Sequence, residues 1–177
     1  MTRRVVLIRL LQHHVSSDDR EEADRCAMLR LAHELGEPLS RAEPKAHFTA
    51  SAYVVDRDGR RACLVQHAKL DRLLQPGGHV EASDISLESA ALREANEETS
   101  LDVELHATAP RPFDLDIHEI PARRGEPAHF HLDVRYLVVG HGEPCAGAAW
   151  YEIGAAGDAS VDRLAEKALR LGSPPRP

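Results

Sequence analysis

Aromatic side chains are scarce in this 177-residue sequence, which has three Phe, three Tyr and one Trp. A surface that binds single strands by stacking bases on aromatic rings cannot be built from so few. Basic residues are also in the minority: 22 Lys+Arg face 29 Asp+Glu, a formal net charge of −7. Binding a nucleic-acid polymer needs the opposite balance, because cationic surface must displace counterions from the phosphates. The three cysteines, Cys26, Cys63 and Cys145, are odd in number, far apart and include no CxxC pair. Neither a zinc site nor a disulfide framework is signalled by them, and a reducing cytoplasm fits this usage. No segment approaches the roughly 20 apolar residues of a membrane span. Arg3 and Arg4 ahead of Val5 to Ile8 look superficially like a signal peptide, but Arg9 interrupts the run and no small-residue cleavage site follows. The expectation is a cytoplasmic protein with no membrane partner.

What is present describes an ordinary globular chain, 42% hydrophobic and 29% charged, of a length that suits a single domain with its own core. Residues 1–45 read as a helical extension. Ser17, Asp18 and Asp19 are N-cap candidates, Glu21 stands where a capping box begun at Asp18 needs it, and Gly36 is placed as a stop. From His47 the pattern turns to strands, at 48–55 and 62–66 across a turn at 56–59, and again at 103–106, 113–120 and 130–139. Helical stretches fall at 86–99 and 160–171. This irregular alternation favours a mixed-sheet sandwich over a doubly wound sheet. The Pro-rich tail, 172–177, is expected to be flexible.

The chemistry concentrates between Pro76 and Leu101. Glu94, Glu97 and Glu98 stand at i, i+3 and i+4, so on a helix they share one face. Like charges so placed destabilise a helix by about 0.2–0.5 kcal/mol per pair, and only Arg93, able to pair with Glu97, offsets them locally. A hard divalent cation would remove the repulsion, since Mg²⁺ binds through a few carboxylates and leaves its other positions to water and substrate phosphate. A solvated acidic helix face explains the three glutamates equally simply. The diglycine Gly77-Gly78 ahead of the helix is the additional feature, because glycine lets backbone approach a ligand closely.

With these residues in view, the segment from Gly78 to Leu101 resembles the Nudix box of the MutT-like hydrolases, matching Arg93, Glu94, Ala95, Glu97, Glu98 and Leu101 in order, with Gly77, Gly78 and Glu81 before them. There are two departures. Counting from Gly78 puts the first acidic position at Asp84, whereas counting back from Arg93 puts it at Ile85, so one extra residue intervenes. Ser100 stands where the family has the glycine that ends the helix, a position suited to left-handed backbone. The resemblance implies an α/β fold, an α/β/α sandwich with a mixed β-sheet over residues 46–171 behind the N-terminal extension. It implies hydrolysis of a nucleoside diphosphate linked to another moiety, with Mg²⁺ or Mn²⁺ held by Glu94, Glu97 and Glu98 together with Gly78 and Asp84. Arg93 would orient the carboxylates, and Glu97 or Glu98 would act as base. A nucleotide-binding module without turnover, and an isoprenoid diphosphate isomerase with Cys63 or Cys145 in its pocket, are the alternatives.

Histidine is plentiful, at 11 residues. On a strand of period two, His129, His131, Asp133 and Arg135 share a face, and Asp114, Asp116 and His118 alternate likewise. Pairing of these strands would make a His/Asp patch, which reads as a substrate-lining wall, as an additional metal site, or as the wet face of an antiparallel sheet. The substrate contacts expected on this basis are His79, Glu81, Asp116, His118, His129, His131 and Asp133. Arg123 and Arg124 read as surface charge, as do His13 and His14. The partner is a small nucleotide-type diphosphate, and a homodimer is compatible with the N-terminal region.

Overall fold

The computed structural model describes residues 2–67, 72–123, 125, 127–156 and 158–171; the expected tail at 172–177 and Arg124 lie outside them. Two helices, α1 (Arg3–His13) and α2 (Asp19–Glu34), precede the strands β1 (Ala46–Val55), β2 (Arg61–His67), β3 (Arg72–Leu74) and β4 (Gly77–His79). Helix α3 (Leu87–Thr99) follows, then β5 (Asp102–Leu105), β6 (Asp114–Ile120), β7 (His129–His141), β8 (Ala148–Glu152) and α4 (Ala159–Leu171). The strands form one mixed sheet ordered β3-β2-β1-β7-β5, with β4 on β1, β6 on β7 and β8 on β2. The β1–β7 pair is parallel over its whole length and the other pairs are antiparallel. The mixed sheet and the strand and helix positions expected from the sequence are therefore present.

Alternation along the two central strands decides what each face does. Phe48, Ala50, Ala52 and Val54 of β1 and Leu132, Val134, Tyr136 and Val138 of β7 form one core with α1, α2 and α3, through Leu7, Leu11, Met28, Ala32, Ala90, Ala91 and Ala95. Tyr53, Val55, Leu137 and Val139 face the other way, onto Val161, Leu164, Ala165 and Ala168 of α4. The remaining residues of that second face, His47, Thr49 and Ser51 on β1 and His129, Asp133 and Arg135 on β7, are polar and buried. The α4 face is thus apolar at one end and ionic at the other.

The N-terminal helices belong to the same body. Asp18 caps α2 by accepting the Glu21 N–H at 2.8 Å, but the capping box expected there is not completed. The Glu21 carboxylate instead accepts the Ser17 N–H and hydroxyl, the Leu115 N–H and Lys167. A fully buried carboxylate needs several donors, and tertiary contacts supply more than the helix start can. Asp24 accepts the Ile117 N–H at 3.4 Å, so two carboxylates of α2 cover outward-facing N–H groups of β6 that an exposed edge would offer to another chain. His14, expected at the surface, has its side chain buried against Glu21 at 2.7 Å.

Ser100 ends α3 in the left-handed conformation, φ 60° and ψ 13°, so the residue departs from glycine while the backbone does not. A non-glycine residue costs about 1–2 kcal/mol in this region. Ser100→Gly is expected to stabilise the protein by about 0.5–1 kcal/mol, part of the relief being returned as unfolded-state entropy. Urea unfolding checks this, and an unchanged or lower midpoint would refute it.

Candidate active site

Helix α3 starts where its sequence says it should, with Ser86 and Ser89 exchanging hydrogen bonds as a capping box. Two turns on, Arg93 is the hub of the site. Its Nε and Nη2 donate to Asp84 at 3.1 and 2.9 Å, its Nη1 to Glu94 at 2.9 Å and Glu97 at 3.1 Å, and its Nη2 also to the His79 carbonyl at 3.0 Å. One planar guanidinium therefore ties the end of β4, the loop before the helix and the helix face together, a geometry that Lys cannot reproduce.

Asp84, expected beside the glutamates as a metal ligand, lies against Arg93. Both its oxygens are engaged by Arg93, and Oδ2 also accepts the Glu81 N–H at 2.8 Å. Burial pushes its carboxyl up, but Arg93 more than offsets this and holds it below its ordinary value. Asp84 anchors Arg93. The extra residue of the loop is absorbed at Ile85, which is 89% exposed.

The diglycine has two separate steric causes. A Cβ on Gly78 would lie 2.5 Å from Glu94 Oε1, and one on Gly77 would lie 2.7 Å from the Ser51 Cα. Gly78 makes room for a carboxylate, and Gly77 lets β4 lie close against β1. The Gly77 N–H donates to Glu98 Oε2 at 3.1 Å. Glu94 is raised in pKa by burial and by Glu97 and Glu81, against the pull of Arg93. Glu98 is raised by burial and by Glu94 and Glu97, against its bond from Gly77. Half-buried carboxylates that disfavour each other's charge are a donor set suited to a hard divalent cation.

On the opposite face, β6 and β7 pair as the alternation required, with Asp114 opposite Arg135, Asp116 opposite Asp133 and His118 opposite His131. The face is enclosed at Asp114, Asp116, Asp133 and Arg135, while His131 is half-buried and the His118 side chain is 41% exposed. Asp116 and Asp133 were expected to contact substrate, and the structure places them elsewhere. Asp133 accepts from Thr49, Ser51 and Arg135, and Asp116 from Arg20, Arg163, His118 and Arg135. Both are at most 4% exposed, so they serve as counter-ions of the fully buried Arg135. Beyond this ionic layer His131, His129 and His118 meet His79 and His47, with ring centroids 4.8–5.5 Å apart. Burial, followed by the neighbouring histidines, lowers the His131 pKa from 6.5 to about 3. Glu81 is exposed, and its carboxylate accepts from the Ser83 hydroxyl at 3.4 Å.

The family model for the NUDIX domain matches residues 45–167. The chain belongs to this family. A probable DHNTP pyrophosphohydrolase of Lactococcus lactis subsp. cremoris (strain MG1363) is 28% identical over 134 residues, 75% of this chain and 76% of that protein. A Nudix-family hydrolase from Clostridium perfringens superposes with a TM-score of 0.52 at 26% identity, over 71% of this chain and 97% of its own. The Nudix domain of Shewanella oneidensis NrtR, solved with ADP ribose, shares the fold at a TM-score of 0.51 and 19% identity, over 70% and 86% of the two chains. The Nudix chain described here is accordingly a pyrophosphohydrolase of the class that acts on nucleoside diphosphate derivatives.

Sequence reading missed several residues of this Nudix chain that carry charge or ligand chemistry: His47, Arg20, Arg163 and Lys167. His47 sits in an otherwise apolar run, and the three cations come from helices whose docking only the fold specifies. An open cleft of about 810 Å³ is lined by Arg20, Gln66, Arg72, Leu73 and the start of α4, and by none of the three glutamates. Cys63 is buried in the core with its thiol pushed up to about 12 by burial, so it is not the reactive thiol that the isomerase alternative requires. No helix among the described residues is long and apolar enough to cross a membrane.

Proposed function

We propose that this enzyme hydrolyses the diphosphate bond of a nucleoside diphosphate linked to another moiety, with Mg²⁺ or Mn²⁺ held by Glu94, Glu97 and Glu98. The observation that carries the reading is that Glu94 and Glu98 on one helix face are both raised in pKa, first by burial and then by neighbouring carboxylates, a cost that a divalent cation would relieve. The residues fit such an ion, since three carboxylates share one helix face and Gly78 keeps space at Glu94. When bound, the cation would neutralise charge on the phosphoryl oxygens and make water a better nucleophile.

The chain's own residues supply orientation and the base. Arg93 fixes one oxygen each of Glu94 and Glu97, leaving their other oxygens for ligation. Glu98 is the proposed base: it does not bond Arg93, only one of its oxygens takes the Gly77 N–H, and its raised pKa favours accepting a proton. The metal-facing role of Gly78 belongs to the same reading. The Lactococcus relative's name, a probable pyrophosphohydrolase, supports cleavage of a phosphoanhydride bond.

A panel of nucleoside diphosphate derivatives, assayed with Mg²⁺ and with Mn²⁺ for release of a nucleoside monophosphate, tests this. Turnover abolished by chelation is expected. Tight binding of a panel member without cleavage under either metal would overturn the reading in favour of a binding module.

A further inference from the structure

The histidine cluster has its own ligand chemistry. Among the described residues, His47, His79 and His131 form a donor set whose ligand atoms all lie within 4.8 Å of one another. They come from three strands brought together by register: Thr49 of β1 pairs with His79, and His47 of β1 pairs with His131 of β7. Alternation along β4 turns Gly78 towards Glu94 and His79 the other way, so these rings and the glutamates occupy opposite faces of the strand.

The rings are also oriented as metal ligands are. Nδ1 of His129 lies 3.0 Å from the Pro127 carbonyl, Nδ1 of His118 lies 3.0 Å from Asp116 Oδ2, and Nδ1 of His47 lies 3.4 Å from the Glu43 carbonyl. An Nδ1–H that donates to a carbonyl or carboxylate leaves the lone pair on Nε2, the arrangement usual for histidine ligands. Nε2 of His129 and Nε2 of His131 are 3.3 Å apart. That is about the separation of two nitrogens on one tetrahedral ion with Zn–N bonds of about 2.0–2.1 Å. Imidazole nitrogen suits zinc and the later first-row cations, whereas Mg²⁺ takes oxygen.

We propose that His47, His79 and His131, with His129 in the fourth position, form a structural site for a first-row transition-metal ion, Zn²⁺ by preference. The ion clamps the short strand β4 to β1 and β7, and so fixes the Gly77-Gly78 backbone that faces Glu98 and Glu94. It is separate from the cation of the hydrolytic reading and does not depend on it.

The test uses the full chain, stripped of metal by chelation and dialysed. Titration with Zn²⁺ is expected to show one tight site per chain with a rise in unfolding temperature. Co²⁺ is expected to give the intense visible absorption of a tetrahedral nitrogen site, undisturbed by excess Mg²⁺. His79→Gln, in a half-buried strand whose loss leaves the core intact, and His131→Ala are each expected to weaken Zn²⁺ by more than the roughly 10–100-fold that outer-shell partners command. Glu98→Gln is expected to bind Zn²⁺ as the unaltered chain does. Equal Zn²⁺ affinity in His79→Gln, His131→Ala and the unaltered chain overturns the proposal. So does a chain that binds no Zn²⁺, including one whose cluster responds to inorganic phosphate instead.

Discussion

Glu98→Gln should lose about 10²–10⁴-fold in kcat, the range a positioned acid or base contributes, while unfolding at the same or a higher temperature. The two expectations have one cause. Gln keeps the shape of the side chain and an oxygen to accept the Gly77 N–H, so the bond that positions β4 against α3 survives. What disappears is a negative charge that the folded protein disfavours, since burial and then Glu94 and Glu97 raise the Glu98 pKa. Removing such a charge relieves strain that the fold maintains for function. Steady-state kinetics with Mg²⁺ and a thermal melt of the same preparation decide the matter. A kcat within about twofold of the unaltered enzyme, or a marked fall in melting temperature, would show that Glu98 is a structural residue.

Replacing Arg135 has the opposite signature, a large loss of stability with no direct contact to the glutamates. Arg135 donates to Asp133 at 3.0 Å, Asp116 at 2.8 Å and Asp114 at 3.3 Å, and all four side chains are enclosed. Arg163 and Lys167 reach Asp114 from α4, and Arg20 reaches Asp116 from α2. Arg135→Met fills the volume but leaves buried carboxylates with too few cations, and breaking a buried pair in this way costs about 3–5 kcal/mol. The exposed Arg170–Glu166 pair, 3.8 Å apart, is the control, because Arg170→Ala should cost at most about 0.5 kcal/mol. The pH dependence follows from the same layer. Burial alone would raise the Asp116 carboxyl, but the bond from His118 and the charges of Arg135 and Arg163 hold it well below its ordinary value of 3.8. A depressed carboxylate stabilises the fold above that value and loses its contribution as pH falls below it. Urea midpoints measured from neutral pH down through 3.8 should fall steeply for the unaltered chain and less steeply for Arg135→Met. Equal midpoints for the two proteins at neutral pH would refute the assignment.

The carboxylate helix was legible because its information is local. Spacing at i, i+3 and i+4 and a diglycine are properties of neighbouring residues, and Arg93 lies within one turn of Glu94 and Glu97. The pairing of Asp116 with Asp133 and of His118 with His131 was also within reach, since a period of two and a connection between two strands suffice to place them on one face. The surroundings of Asp84 were not legible because two counts along the box disagree by one residue, and only the loop's path shows that Ile85 leaves for solvent while Asp84 turns in to Arg93.

Taken by itself, the sequence determined the class of protein and the chemistry of one helix face, since periodicity and short spacings specify which side chains share a surface. Tertiary structure decided which surfaces are wet. From Leu132 to Gly140 the strand β7 is covered on both faces, so the Asp/Arg part of a stripe that alternation alone would leave in solvent became a buried ionic layer, with a histidine cluster beside it completed by His47 from a parallel neighbour and with cations from α2 and α4. Contacts between residues 80 to 150 positions apart, such as Ser51 with Asp133 and Glu21 with Lys167, leave no periodic trace in either segment, because each partner alone is only a polar residue awaiting a counterpart.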